Sequence, residues 1–245
     1  MSILTTELIA YASASHPSDD VSTTGGAIDT NIRAEFTQFS APAKLALISD
    51  GADTRSVDVV GRVASGVLTS ETVVLTGAVE VLSVATFERI LSVVAQTTSA
   101  SRTVLAKQGS GGSTIGTINL NEKGFTAFFI SSFSTTGTQT RFEKIFLKNT
   151  NATLTLTSSI VTLTADPQAR IRIGVAASVD DTATVANRLT SSGVTFVDDN
   201  VDQNVPGGGN LAAASRIGVW VEQALQASDA AFKTTFTTRL QGNSI

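Results

Sequence analysis

The chain has 245 residues, a length that suits one large all-β domain or two small ones. Only 16% of its residues are charged, which excludes disorder driven by high charge, and a net charge of −4 without any Lys/Arg run argues against nucleic-acid binding. The chain has no cysteine, which excludes disulfide frameworks, thiol chemistry and cysteine-ligated zinc sites.

Hydroxyl side chains supply much of the polarity that charged residues lack. The chain contains 35 Thr and 27 Ser residues. Threonine is β-branched and suits the solvated face of a pleated sheet. This composition predicts strands with neutral, hydrogen-bonding outer faces, which suit lateral contacts between proteins better than electrostatic capture.

The N-terminal residues 1–27 are predicted to form an extended arm that lies on a neighbouring surface. Loop-forming residues make up 16–20 and 22–26, while a short helix or strand is expected over 4–12. The alternative is an unstructured terminus. The segment lacks a cationic start, and no stretch of the chain approaches about 18 apolar residues, so neither a signal peptide nor a transmembrane helix is expected.

Residues 28–109 are predicted to form a first β-sandwich module. Strands are expected over 32–39, 44–48 and 87–94, and the span 55–77 predicts a β-hairpin with its loop at Ser65-Gly66. The glycine-rich stretch 109–113 is the best candidate for a linker or turn, which places the module boundary near residue 110.

Residues 110–245 are predicted to form a second β-sandwich module. Short strands with turns between them recur about every 8–12 residues, as in Ig-like or jelly-roll-like sandwiches. The strands are expected over 115–120, 125–130, 141–147, 153–157, 160–165, 170–175, 194–197, 216–225 and 232–240. A helix competes over 211–226, but Gly218 and the β-branched residues beside Trp220 favour a strand there. The predicted fold class is therefore all-β, with two sandwich modules and an extended N-terminal arm.

The residues that usually perform catalysis are scarce. The only histidine is His16, which lies in the predicted arm without an evident partner. The glycine-rich segments 109–116 and 206–209 lack the Lys-Ser/Thr pair of a phosphate-binding loop. We therefore expect no catalytic residue, no cofactor and no enzymatic activity, and we interpret the single tryptophan, Trp220, as a core residue.

One acidic loop has the spacing of a calcium ligand set. Asp198, Asn200 and Asp202 alternate as they do in an EF-hand loop. However, Gln203 stands where that loop needs glycine, and Gly209 stands where it needs glutamate. A solvated acidic loop is the favoured interpretation, and a calcium site is the alternative.

Several segments, taken in order, resemble tailed-bacteriophage virion structural proteins. The main one is Val57–Leu91, in which a glycine-containing hairpin is followed by Leu-Thr-Gly and then by Phe-Glu-Arg-Ile. The other matching segments are 19–29, 148–150, 171–174, 185–188 and 218–221, so the resemblance covers about residues 19–242. It implies an Ig-like or jelly-roll-like protein built into a virion, and its motifs carry no catalytic residues.

The resemblance implies a virion protein that is assembled in the host cytoplasm and binds other virion proteins, whether major capsid, neck or tail proteins. We expect a homo-oligomer that binds neither nucleic acid nor membrane. The polar arm and the Ser/Thr-rich faces favour a capsid cement or decoration protein. The alternative is a neck, collar, baseplate or tail-fibre component, with binding of a host receptor or glycan.

Overall fold

The protein is built almost entirely from β-strands. The computed structural model describes residues 2–14, 24–128, 137–227 and 235–245, and within these ranges it contains a 3-10 turn at Thr5–Glu7 and no α-helix. No helix in these ranges is therefore long and apolar enough to cross a membrane. The predicted all-β, sandwich-like fold is confirmed. In chain order the strands are β1 Leu8–Ser13, β2 Ile28–Arg33, β3 Ala43–Ser49, β4 Ser56–Val63, β5 Leu68–Val74, β6 Val81–Ala95, β7 Val104–Gln108, β8 Thr114–Ile118, β9 Gly124–Thr126, β10 Gln139–Asn149, β11 Leu156–Ala165, β12 Ile171–Val179, β13 Gln203–Asn204, β14 Arg216–Leu225 and β15 Thr237–Ser244.

The chain divides into two compact units that differ from the predicted modules. Residues 30–130 form one, which we call the inserted unit, and residues 1–29 with 131–245 form the other, which we call the discontinuous unit. The predicted boundary near residue 110 falls inside the inserted unit, because residues 109–113 are the turn of a hairpin. There the backbone N–H of Gln108 donates to the carbonyl of Ser113 at 2.9 Å, and β7 pairs with β8.

The N-terminal segment is part of a sheet rather than an arm over its described residues. Strand β1 pairs antiparallel with β10, from Leu8 opposite Asn149 to Ala12 opposite Ile145. Its apolar residues are buried, and Ile9 and Tyr11 pack together with Phe146. The burial of these side chains against β10 favours a paired strand over an extended arm. Residues 15–23, which include His16, lie outside the described residues.

In the inserted unit, the 15-residue strand β6 takes part in two different pairings. Its first half pairs with β3, its second half pairs with β4, and Ser92–Val94 also pair with β9. Register shifts interrupt both long pairings, and such bulges bend a strand. The order along one path is β2-β9-β6-β3-β7-β8, while β5 pairs with β4 beside it. Apolar residues of β3 to β9 enclose one core that includes Phe87 and Phe125.

The sequence predicted the hairpin of this unit well and one of its strands poorly. Strands β4 and β5 pair without a register shift from Ser56 opposite Val74 to Arg62 opposite Leu68, and the turn contains Gly66 with a φ of 78°. This confirms the predicted hairpin over 55–77. The predicted strand over 32–39 is wrong beyond Arg33, because the chain leaves the sheet there.

The discontinuous unit contains two sheets, with strand orders β12-β14-β10-β1 and β13-β11-β15. Strand β10 lies between β14 and β1, and every residue from Arg141 to Leu147 is buried. The predicted strand over 216–225 is confirmed as β14, and Trp220 on it is a core residue that is 1% exposed. The predicted strand over 194–197 is reduced to a single bridge between Val197 and Ile173.

Gly124 on β9 offers a direct test of the close packing in the inserted unit. A Cβ atom at this position would lie 2.0 Å from the carbonyl oxygen of Val93, which belongs to the backbone of β6 and cannot rotate away. We expect Gly124→Ala to lower the free energy of unfolding by about 1–3 kcal/mol, as overpacking does. Urea denaturation followed by circular dichroism measures this loss. The exposed Leu120 provides the control, since Leu120→Ala should change stability by no more than about 0.5 kcal/mol.

Candidate interaction surface

The structure gives each residue of the predicted calcium loop a different partner. An Asp198 carboxylate oxygen lies 3.3 Å from Nε of Arg172, and Asp202 accepts a hydrogen bond from the hydroxyl of Thr162. Asn200 adopts a φ of 60° and donates its side-chain amide to Asp199. In the described ranges, no three acidic or histidine side chains are grouped to hold a metal ion. Each of the three side chains thus has a contact within the chain, and the calcium site stays an alternative from the sequence.

Two buried residues of opposite charge, Glu143 and Lys144, are neighbours at the centre of β10, and the sequence motifs did not indicate them. Glu143 accepts a hydrogen bond from the hydroxyl of Ser13 on β1 and forms an ion pair with Arg188, with 2.7 Å between Oε2 and Nη1. The side chains of Glu143 and Arg188 are 0% and 3% exposed. This ion pair connects β10 to the loop that follows β12.

Lys144, the next residue on β10, is equally buried. Its ammonium group pairs with the Asp181 carboxylate and donates to the carbonyl of Ala183 at 3.1 Å. It also lies 5.1 Å from the ring centroids of both Phe146 and Trp220, where a cation is attracted to the ring faces. Burial lowers the pKa of Lys144, and the hydrogen bond and charge of Asp181 only partly oppose that shift. The signal in the sequence was the Glu-Lys pair inside the otherwise apolar stretch 142–147.

Backbone packing encloses the same cluster. A Cβ on Gly26 would lie 2.4 Å from the Trp220 ring, and the φ of Gly26 is 83°, so only glycine fits at this position. The neighbouring Gly25 exchanges two backbone hydrogen bonds of 3.0 Å with Val185. The Lys144 ammonium is therefore enclosed and matched by groups of its own unit, an arrangement that holds strands and loop together.

The exposed apolar side chains, by contrast, are concentrated in one short stretch of the inserted unit. Among the described residues, twelve large apolar side chains are exposed, and six of them lie between residues 67 and 84. They are Val67, Leu68, Val74, Val79, Leu82 and Val84, of which Val84 is 86% exposed. Single exposed apolar residues are ordinary, whereas a concentration of them marks an interaction site. We call residues 67–84 the apolar edge. They comprise strand β5, the loop that follows it and the start of β6.

Glu71 holds the two strands of the apolar edge together. Its two carboxylate oxygens accept hydrogen bonds from the backbone N–H groups of Val84 and Ala85, at 3.0 and 2.9 Å. Those two residues lie where the pairing of β6 with β3 is interrupted by a register shift, so the carboxylate satisfies donors that the sheet does not use. The contact places the exposed Val84 beside the middle of β5.

Strand β5 is an edge strand whose outer side is well defined. Among the described residues, it pairs only with β4. The N–H of Leu75 donates to the carbonyl of Arg55, next to β4, and the carbonyl of Val67 accepts from the N–H of Val63 on β4. Because the pairing between these two bonds has no register shift, the odd-numbered residues of β5 direct their backbone groups toward β4. The even-numbered residues direct theirs away, and their side chains are all exposed: Leu68, Ser70, Thr72 and Val74.

We expect Asp181→Asn to destabilise the discontinuous unit because it leaves the Lys144 ammonium buried without its counter-charge. The loss should be about 3 kcal/mol, the lower end for breaking a buried ion pair, since Asp181 is 16% exposed. The double variant Lys144→Met with Asp181→Asn should recover most of that loss. Urea denaturation followed by the fluorescence of Trp220, the single tryptophan, measures both variants. Equal losses in the single and double variants would contradict this account of the cluster.

The lowered pKa of Lys144 also predicts a pH dependence. Between that lowered pKa and the ordinary value of 10.5, the unfolded chain binds a proton that the folded chain has released, so stability rises with pH. The wild type should therefore gain stability relative to Lys144→Met as the pH rises from neutral toward 10.5. The urea midpoints of both proteins are measured across this range. In the difference between them, the contributions of all other titrating groups cancel. A constant difference would show that Lys144 does not titrate in this window.

Comparisons with known proteins leave the family of this chain open. No protein-family model, no curated protein and no solved structure matches it. The resemblance to virion proteins described above therefore stays a prediction from sequence motifs.

Proposed function

We propose that the protein is a non-enzymatic structural protein of a tailed-bacteriophage virion, which acts by binding other proteins of the particle. The observation that carries the proposal is the apolar edge, a stretch with six exposed apolar side chains that includes a strand with outward-facing backbone groups. Burying one Val or Leu side chain contributes about 1.5–3 kcal/mol. Strand edges with unpaired backbone groups are sites at which sheets accept another chain.

The position we propose within the virion is the capsid surface, where the chain would act as a cement or decoration protein. A cement protein stabilises a shell through many modest contacts, and the hydroxyl-rich composition suits neutral, hydrogen-bonded contacts of this kind. The alternative is a place in the neck, collar, baseplate or tail fibres. The motifs that suggest a virion role do not distinguish these positions.

The buried charges support the non-enzymatic part of the proposal. Among the charged side chains of the described residues, Lys144 and Glu143 are the most deeply buried, and both have a partner of opposite charge within the discontinuous unit. A catalytic group must reach its substrate, or reach it through one water. Their partners instead give them a role in stability.

The deciding experiment is to tag the chain at its C-terminus and image purified phage particles by cryo-electron microscopy. Density repeated over the shell is the expected result and would establish a cement role. Density limited to the neck or tail would establish the alternative. Absence of the tag from the particles, with the untagged chain also absent by mass spectrometry, would refute the virion proposal.

Replacing Val84 by Lys should weaken incorporation into particles without unfolding the chain. Val84 is 86% exposed, so the substitution removes no core packing, but it places a charge in the surface that we propose is buried on binding. Leu189→Lys is the matched control, because Leu189 is also an exposed apolar residue but lies outside the apolar edge. The measurement is the ratio of each variant to the major capsid protein in purified particles. Equal ratios for the two variants would argue against this surface.

A further inference from the structure

We propose that the apolar edge binds a second copy of this chain, through antiparallel pairing of β5 with β5 about a two-fold axis centred on Glu71. The inference rests on the proposed function, a role in binding proteins, and names the partner. It follows from the direction of the backbone groups of β5 and from the order of its exposed side chains.

The backbone limits the possible registers. Only residues with outward backbone groups can form hydrogen-bonded pairs across the new interface, and these are Leu68, Ser70, Thr72 and Val74. A two-fold axis at Glu71 pairs all four of them, since 68 then lies opposite 74 and 70 opposite 72. An axis at Ser70 or at Thr72 leaves one of the four without a partner in the strand. The Glu71 register therefore forms the most hydrogen bonds.

The side chains favour the same register. Leu68 of one copy lies opposite Val74 of the other, so the two ends of the interface are apolar pairs. Ser70 lies opposite Thr72, so the middle is a pair of hydroxyls. Apolar pairs and hydroxyl pairs are both favourable across antiparallel strands. The sequence of β5 is thus self-complementary when it is read in opposite directions about Glu71.

Two further features surround the proposed axis. Val84, the most exposed large apolar side chain in the described ranges, belongs to a residue whose backbone N–H donates to the Glu71 carboxylate. The two Glu71 residues would lie opposite each other, which is unfavourable for like charges. Each carboxylate is held by two backbone N–H groups of its own chain, and this directs the charge toward β6.

The first test is the oligomeric state of the purified chain by analytical ultracentrifugation. We expect a concentration-dependent dimer for the wild type and a monomer for Thr72→Pro. Proline at this position removes an outward N–H and none of the backbone bonds to β4, so β5 should stay in its sheet. It also removes the hydrogen bond that the Thr72 hydroxyl donates to Asp58 on β4, at 2.7 Å. Leu68→Lys should likewise abolish the dimer, because charge at a strand edge opposes pairing, while Leu189→Lys should leave it unchanged. A wild-type monomer, or a dimer that survives both β5 substitutions, would overturn the inference.

The second test reads the register directly and does not depend on the folding of the proline variant. The chain has no cysteine, so single cysteines report only the contacts made where they are placed. With diamide as the oxidant, a mixture of Ser70→Cys and Thr72→Cys chains of different tag length should form the mixed disulfide far faster than either chain forms a disulfide with its own kind. The reason is that hydrogen-bonded partners have Cα atoms about 5.5 Å apart. Equal rates for mixed and like pairs would overturn the Glu71 register.

The two tests separate this inference from the proposed function. If the mixed disulfide forms in purified protein but particles lack the chain, the virion proposal fails and the β5 pairing stands. If particles contain the chain but no cross-link forms in particles or in solution, another virion protein covers the apolar edge, and the pairing of two copies is refuted.

Discussion

Strand β10 is the element on which the discontinuous unit depends, because it is buried on both faces and still carries buried charges, among them Glu143 and Lys144. A charge removed from water is costly unless a partner of opposite sign and several hydrogen bonds meet it. Glu143 finds its partners in Ser13 and Arg188, and Lys144 finds them in Asp181, a carbonyl and two aromatic rings. These partners come from β1, from the loop after β12 and from β14, so the charges can be satisfied only when all of these segments are in place.

This requirement gives the buried pair a role in specificity. An apolar pair at the same positions would tolerate several strand registers, whereas Lys144 can meet Asp181 in one register only. The close approach of Gly26 to the Trp220 ring restricts the same region further. We interpret the cluster as the feature that selects one arrangement of β1, β10 and the loop, which matters for a unit whose two parts are separated by about a hundred residues of intervening chain.

The inserted unit uses a different device. Its apolar core is continuous, and its longest strand, β6, serves two pairings by bending at register shifts. The bend leaves backbone donors that Glu71 satisfies from the edge strand. The result is an edge strand whose odd-numbered residue Glu71 is bonded to β6, while its even-numbered residues expose apolar and hydroxyl side chains. The feature that stabilises the fold is thereby also the one that shapes the surface we propose for binding.

Local pattern was enough to predict the all-β class, the β4–β5 hairpin and β14 with Trp220 in the core, since alternation, turn glycines and β-branched residues act over a few residues. The motif Phe-Glu-basic-Ile occurs in both β6 and β10, the longest strand of each unit, but the sequence did not reveal that its charges are half-buried in β6 and fully buried in β10. Other features depend on contacts between residues far apart in sequence. These are the burial of side chains, the pairing of β1 with β10, the ion pairs of Glu143 and Lys144, the exposed side of β5 and the division of the chain at residues 30 and 130. Only the tertiary structure decided them, because nothing in a short stretch of chain specifies which distant strand will lie beside it.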